Sequence, residues 1–388
     1  MYFCSFFRKI SQSLIFSSVL ISAIPAIPIY ARNSTDAIST LKQGNINYEW
    51  AVIGAGPAGI LAIGLLIENG IAPSSIAWID PEFQVGALGK YYQGVPANLS
   101  TAQWITVLDG CNYLKKCPKN PIEYLKKYDL NQYYPLELIV KPLQEISYWL
   151  LSDVHGLKEK VTNLESQNGR WIIEANKKRI IANKVILATG SHPRSLDYNC
   201  KEEIPLNIAL SPNQLARQVN KDDVIAVVGS AHSAVSVMML LSQLPVKKII
   251  NLYNHPFLYT MQTPNGPVNA ETGLKGAAAT FAREILETNA LPEIQRVYND
   301  QLARETYLPQ CTKIIYAVGF EQNITPLSHG KSISYDDTTG IISPHLYGFG
   351  IAFPERKPDA AGKIEHRVGL PHFLNYGKRV IPNWIAEQ

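Results

Sequence analysis

The sequence predicts an α/β chain in which one strand–glycine turn–helix unit is inserted into another, with a small antiparallel meander between their starts. Three observations predict it. The apolar run Trp50 to Ile53 leads into Gly54-Ala55-Gly56-Pro57-Ala58-Gly59 and then into an apolar stretch through Leu66. A second run, Val224 to Val228, leads into Gly229-Ser230-Ala231-His232-Ser233-Ala234 and another apolar stretch. Two later apolar strands end in Ala188-Thr189-Gly190 and Ala317-Val318-Gly319. Short, wholly apolar strands alternating with helices are the mark of a parallel sheet covered on both faces.

In the first unit each glycine has its own task. Gly54 allows the tight turn out of the strand, Gly56 lets the backbone approach a pyrophosphate, and Gly59 lets the helix lie close to the sheet. Pro57 and Ala58 open that helix, whose N-terminus faces phosphate charge. A second apolar run, Ile76 to Ile79, ends at Asp80, where a carboxylate can accept hydrogen bonds from a ribose. Together these make a Rossmann-like dinucleotide site, a stronger signal than G-x-G-x-x-G alone.

Ahead of this unit, residues 1–31 read as a signal peptide or an N-terminal anchor. Arg8 and Lys9 precede an apolar stretch containing Pro25 and Pro28, and Ile29-Tyr30-Ala31 makes a cleavage site. The prolines and serines make it a poor permanent span, so the mature chain carries no stable membrane helix. Cleavage makes the protein exported, periplasmic or secreted; retention makes it membrane-anchored; a disordered apolar end on a cytoplasmic protein is the third reading. Residues 32–47 read as a polar linker.

After Asp80, residues 81–98 form a loop rich in Gly and Tyr. Helices follow at 100–108 and 136–151, the second with an apolar face. Strands at 160–164, 170–175 and 179–182, separated by turns at Asn168-Gly169 and Asn176-Lys177, form the meander, and a buried strand occupies 184–187. The second unit has its helix at 235–244 and its partner strand at 248–253. Its turn carries Ala231 and Ala234 where the first has glycines, and Ala231 narrows the approach to a phosphate. Asn254 and His255 follow the strand, giving neither an acid for a ribose 2′-hydroxyl nor an arginine for a 2′-phosphate. Residues 254–275 read as a loop, 274–288 as a helix, 313–316 as a strand, 346–352 as a strand into a glycine turn, and 370–385 as a helix broken late by Pro382.

The totals exclude other classes. The formal net charge is +4, and removal of Arg8 and Lys9 with the leader leaves +2, too little to suggest nucleic acid. The five cysteines form no C-x-x-C and no zinc spacing, so no metal is expected. Cys111 and Cys117 are spaced either for a local disulfide or as two unrelated thiols.

Four pieces, Gly54–Gly59 with Asp80, Ala188-Thr189-Gly190, the turn at Gly229 and Ala317-Val318-Gly319, resemble the two-dinucleotide-binding-domain flavoproteins, the FAD/NAD(P)-binding pyridine nucleotide oxidoreductases. The resemblance covers about residues 48–388. It implies FAD in a domain of residues 48–221 and 321–388, and NAD(P)H in an inserted domain of residues 222–320. Val85-Gly86-Ala87-Leu88, Tyr92-Gln93-Gly94-Val95-Pro96 and Leu346 to Pro354 look most like the flavin-containing monooxygenase branch. The resemblance then implies that loop 81–98 passes over the flavin ring. Three features depart from that branch: no arginine near 254, no long fingerprint before the second turn, and Ile351 where an acid often follows Gly350.

On this reading the FAD-binding positions are Gly54, Gly56, Pro57, Ala58, Gly59, Asp80, Gly89, Lys90, Thr189, Gly190 and Gly350. Gly229, Ser230, Ser233, Ala234 and Gly319 face the nicotinamide nucleotide. Lys90, Tyr91, Tyr92 and His232 are the candidate catalytic residues; His232 serves equally as a helix cap, and the role of His372 is open. The expected activity is NAD(P)H-dependent flavin reduction followed by oxidation of a small organic molecule. A chain that keeps FAD as a structural or sensing ligand on a degenerate nicotinamide unit is the alternative.

Overall fold

The computed structural model describes residues 47–387, except 177, 199, 201 and 324–332. The leader, most of the linker and Lys177 of the second meander turn therefore lie outside the described residues. Those that are described belong to one compact unit.

The first sheet starts with β1 (Asn47–Ile53), whose last four residues are buried, and β2 (Ile76–Ile79), buried throughout. Between them α1 (Pro57–Glu68) begins on Pro57, whose missing N–H costs nothing in a first turn, and buries every residue from Ala58 to Leu66. Where a loop is expected over 81–98, residues Gly86–Tyr91 form a short helix, α2. It forms because Gly89 lets the turn close: a Cβ there would stand 2.0 Å from the Gln84 carbonyl. Next come α3 (Thr101–Asp109), held by a Ser100/Gln103 capping box, α4 (Pro121–Leu125) and α5 (Glu137–Asp153). They lead to β3 (His155–Leu157) beside β2.

The meander is β4 (Val161–Gln167), β5 (Arg170–Ala175) and β6 (Lys178–Leu187). Its first turn sits at Asn168 and Gly169, both with positive φ, as a two-residue hairpin requires. The sequence suggests two strands within 179–187, but β6 is continuous. Residues 178–182 run antiparallel to β5, and residues 181–187 run parallel to β1. The sheet order is β15 (Ile341–Ser343), β16 (Leu346–Gly348), β6, β1, β2, β3.

After β7 (Ser191–Pro193) and the helices α6 (Leu206–Ala209) and α7 (Pro212–Gln218) comes a second, all-parallel sheet. Its strands are β8 (Val224–Val228), β9 (Lys248–Tyr253), β12 (Ile294–Tyr298) and β13 (Lys313–Tyr316), in the order β12-β9-β8-β13. The helix after β8, α8 (His232–Leu241), starts three residues earlier than expected. Segment 254–275 is not a plain loop, because Pro264 and Asn265 turn a hairpin of β10 (Met261–Thr263) and β11 (Gly266–Val268). The expected helix over 274–288 is α9 (Gly276–Phe281) running into a π turn at Ala282–Leu286. Strand β12 and α10 (Gln301–Tyr307) carry no clear pattern in the sequence.

Three later pieces join the two sheets. β14 (Phe320–Gln322) pairs antiparallel with β7. β17 (Glu355–Pro358) and β18 (Ile364–Arg367) form a hairpin that grips residues 269–272. Glu365, 1% exposed, accepts hydrogen bonds from the Glu271 and Thr272 amides and from the Thr272 hydroxyl. Asp359 accepts one from the Asn269 amide at 2.9 Å.

The last helix, α11 (Leu370–Ala386), is continuous through Pro382 rather than broken there. Proline forfeits one helical hydrogen bond, but Val380, Ile381 and Trp384 are buried around it, each worth roughly 1.5–3 kcal/mol. Trp384 stacks on Tyr347 with ring centroids 4.6 Å apart. Gly377 lets α11 approach α1, since a Cβ there would stand 2.6 Å from Leu65. A separate core under the second sheet joins Leu206 and Leu215 to Val227, Val235 and Ile315. Cys111, Cys117, Cys200 and Cys311 are free thiols, so the local disulfide is not formed; burial pushes the Cys111 thiol up to about 12.

Candidate functional site

The two glycine turns are built alike. Gly54 has φ +111° and a Cβ on it would stand 2.3 Å from the Ala188 carbonyl; Gly229 has φ +127° and a Cβ would stand 2.3 Å from the Ala317 carbonyl. Each glycine donates its N–H to the adjoining strand at 2.8 Å, Gly54 to Ile79 and Gly229 to Leu252. Each glycine carbonyl accepts a side-chain hydrogen bond, from Trp78 Nε1 at 3.0 Å and from Asn251 Nδ2 at 2.7 Å. The runs Ala188-Thr189-Gly190 and Ala317-Val318-Gly319 are thus the walls against which the turns close.

The first turn opens onto a groove of about 500 Å³ at the C-terminal ends of β1, β2 and β6. Gly54, Asp80, Gly86, Lys90, Thr189 and Asn323 are among its lining. Gly59 is required by the protein itself, because a Cβ would stand 2.0 Å from the Gly54 carbonyl. Gly56 is not: its φ of −74° is ordinary, and a Cβ would meet nothing nearer than Gly86 Cα at 3.9 Å. That bare position, at the uncapped N-terminus of a helix with no acid in its first turn, is suited to a phosphate. Gly350 packs against Ala58, where a Cβ would stand 2.4 Å from the alanine methyl, and so brings the turn after β16 to the same place. Ile351, which follows it, is exposed.

Asp80 is held rigidly. Its Oδ2 accepts the Ala55 amide at 2.8 Å, and its Oδ1 accepts the amides of Glu82 and Phe83. A carboxylate has about four acceptor positions, so one stays available for a ribose hydroxyl. Thr189 Oγ1 is buried without a partner and lies at the groove wall. Asn323 donates to the Thr189 carbonyl and meets His192 Nδ1 at 2.9 Å, so residues absent from the motif reading complete this wall. The bare Gly56, the unpartnered Thr189 hydroxyl and the anchored Asp80 fit a dinucleotide with a pyrophosphate and a ribose.

The proposed catalytic side chains do not converge. Lys90 is exposed and paired with Glu82 at 2.5 Å, and this hydrogen bond raises its pKa. Tyr91 is 39% exposed beside it. Tyr92 packs against the second core, and burial pushes its hydroxyl up to about 12. His232 opens α8 but caps nothing. Its Nδ1 is buried without a partner among the described residues, and burial followed by the Lys275 charge lowers its pKa. His372 bonds Glu271 Oε1 at 2.9 Å beside Arg367.

At the second turn, matching the hydrogen bonds of the two glycines puts Leu252 where Ile79 stands and Tyr253 where Asp80 stands. No carboxylate occupies the ribose position. An arginine comes instead from the neighbouring strand. Arg296, opposite Asn251 in the ladder, bonds Asn251 Oδ1 at 3.1 Å and stacks on Tyr253 and Phe257 at 4.5 and 3.7 Å. The sequence hides this residue because strand order, rather than proximity in sequence, brings it there. Ser230 lies in this turn, Ser233 and Ala234 in the first turn of α8, with the Ala234 Cβ 3.5 Å from a Cβ placed on Gly229, and Gly319 follows β13, which pairs with β8. Among the described residues, no three His, Cys, Asp or Glu side chains are grouped to hold a metal, and no helix is long and apolar enough to cross a membrane.

Comparison with known proteins adds to this geometry. Residues 153–344 match the family described as Pyridine nucleotide-disulphide oxidoreductase. The chain is 30% identical over 383 residues to Monooxygenase AgnR1 of Paecilomyces divaricatus, covering 86% of this chain and 97% of that protein. The flavin-containing monooxygenase from Stenotrophomonas maltophilia matches with a TM-score of 0.59 at 14% identity, over 88% of this chain and 98% of the other. Thioredoxin reductase of Lactococcus lactis matches with a TM-score of 0.56 at 12% identity, over 87% and 98% of the two chains, and both structures share the fold.

Proposed function

This chain belongs to the FAD/NAD(P)-binding oxidoreductases of the flavin-monooxygenase-like branch, with FAD and NADPH as the cofactors of that family, and we propose that it oxidises a small organic molecule. The bare Gly56 above an uncapped helix carries this reading, because the protein's own packing leaves room for a side chain there. Bound FAD would take a hydride from NADPH and pass electrons to O₂ or another acceptor.

The chain's own part is to bind, orient and exclude water. Gly54, Gly56, Pro57, Ala58 and Gly59 form the pyrophosphate turn, and Gly350 closes against it. Asp80 fixes a ribose through its free acceptor position, with Thr189 and Gly190 as the wall. Gly89 acts by shaping α2, from which Lys90 reaches the groove. Gly229, Ser230, Ser233, Ala234 and Gly319 receive the second nucleotide, and His232, whose buried Nδ1 has no partner among the described residues, can hold one hydrogen bond there.

The test is the visible spectrum of the purified chain before and after anaerobic NADPH. A flavin spectrum that bleaches supports the reading. A chain that binds no flavin under any loading condition sinks it. Ala231 alone favours a second reading, FAD retained as a sensing ligand with the second unit silent; a bound flavin that NADPH never bleaches would select it.

A further inference from the structure

We propose that a basic cavity beside the second turn, formed by Lys275 and Arg283 with Gln262, Thr260 and Thr280, binds a phosphate monoester, the 2′-phosphate of NADPH. This rests on the reading of the second unit as a nicotinamide nucleotide site. The family's arginine after β9 is absent, and the structure supplies the positive charge from other elements.

The cavity measures about 380 Å³ and no carboxylate lines it. It lies in the segment that directly follows the C-terminal end of β9, where a doubly wound sheet receives the ribose of a dinucleotide. Its walls are fixed. Thr260 donates its amide to the Leu274 carbonyl at 3.1 Å, and Leu274 donates to Leu258 at 2.7 Å. Leu274 is buried in the core that also holds α8. That core lies on one face of the second sheet, with Ala234, Val235 and Val227 in it and Ala226 and Val228 on the other face, so the cavity and the helix that the second turn opens share one side of the sheet.

The donors are available. Lys275 Nζ spends one proton on the Ala270 carbonyl at 2.9 Å and keeps two. The Arg283 guanidinium lies over the Tyr259 ring, its Cζ 4.1 Å from the ring centroid, a contact that uses no N–H. Arg283 has no hydrogen-bond partner among the described residues, so its fork is free for a doubly charged oxygen face. Glu271, an acid within the influence of Lys275, is already paired with His372 and Arg367. Glu287 stands by Tyr259, outside the lining.

The position of the ribose agrees. A carboxylate there accepts from a 2′-hydroxyl and repels a 2′-phosphate. This chain has Tyr253 at that position, with the Arg296 guanidinium stacked on it. Arg296 is committed to Asn251 and has a buried Nη2, so it adds charge beneath the site while Lys275 and Arg283 present donors to it.

The experiment is calorimetric titration of the full-length flavin-loaded chain with 2′,5′-ADP and with 5′-AMP. Wild type is expected to prefer 2′,5′-ADP by ten-fold or more. Lys275→Gln and Arg283→Met should each cut that preference at least three-fold, with 5′-AMP affinity unchanged; methionine keeps an unbranched stem on Tyr259. The preference should also fall as pH drops below about 6, where a phosphate monoester gains a proton. Equal binding of the two probes by wild type, or an unchanged preference in both variants, overturns this proposal and leaves the nucleotide reading standing. Failure of both probes and of NADPH to bind at all overturns both.

Discussion

The two glycine turns are near copies in backbone and opposites in what they offer a ligand. Gly54 and Gly229 share positive φ, the same 2.3 Å closeness to a facing carbonyl and the same N–H bond to the neighbouring strand. The first adds a bare Gly56, an anchored Asp80 and a groove of about 500 Å³. The second puts a methyl at Ala231, a tyrosine in place of the acid, and two arginines, Arg296 and Arg283, over Tyr253 and Tyr259. Positions that close the fold are therefore the same in both copies, and positions that meet a ligand differ. A residue's role can be told from whether the protein's own atoms require it.

The largest effects should come from the shared positions. Gly54→Ala and Gly229→Ala each press a Cβ into a carbonyl at a backbone conformation unsuited to alanine. Each should cost roughly 2–6 kcal/mol, read as a lowered melting temperature. The comparison sharpens in what survives: Gly229→Ala should keep its flavin spectrum and lose reduction by NADPH, whereas Gly54→Ala should lose flavin. Loss of flavin by both to the same degree would break the distinction.

Next comes the hairpin that ties the second unit to the first. Glu365→Ala leaves three donors at Glu271 and Thr272 without their acceptor, at a cost of about 1–3 kcal/mol. Flavin content should stay constant while flavin reduction by NADPH slows. A variant with unaltered stability would show that the hairpin is not a structural tie.

Ala231→Gly recreates the bare middle position in the second turn. Affinity for NADPH should rise several-fold, by about 1 kcal/mol, with little change in melting temperature. An affinity that falls would show that no phosphate approaches that residue.

The smallest effect concerns acid. Burial pushes the Glu271 carboxyl up, but the hydrogen bond from His372 and the charges of Lys275 and Arg367 outweigh it, and its pKa lies below the ordinary value. A carboxyl depressed in the folded state stabilises above its unfolded pKa, and that share is lost as pH falls through the folded value. Between pH 6 and pH 3 the wild-type melting temperature should therefore drop more than that of Glu271→Gln. Parallel curves would remove Glu271 from the account.

Much of the fold was legible because it rests on local pattern. The wholly buried strand at 76–79, the strand at 248–253 with its four buried central residues, and the glycine turns that end their partners are set by consecutive residues. Helix α2 was missed because Gly86 and Gly89 look like loop residues; the closeness of the Gln84 carbonyl to Gly89, and of the Gly56 backbone to Gly86, shows why each is glycine in a short helix. Strand β12 was missed because Gln295 and Arg296 interrupt its apolar run. Pro382 misled because core packing around Trp384 overrides one lost hydrogen bond. In the site, the backbone positions could be read from spacing. Arg296, Asn323, Lys275 and Arg283 could not, since strand order and a hairpin bring them near the turns.

The most direct test of the central claim is the FAD dissociation constant of Gly56→Ala against wild type, measured with the melting temperature of each flavin-free chain. A methyl at Gly56 meets no protein atom nearer than 3.9 Å, so the melting temperatures should agree. The FAD constant should weaken ten-fold or more, because the methyl occupies the space of the pyrophosphate. An unchanged FAD constant would mean that the cofactor does not pass over Gly56, and the first turn would lose its role as the flavin site.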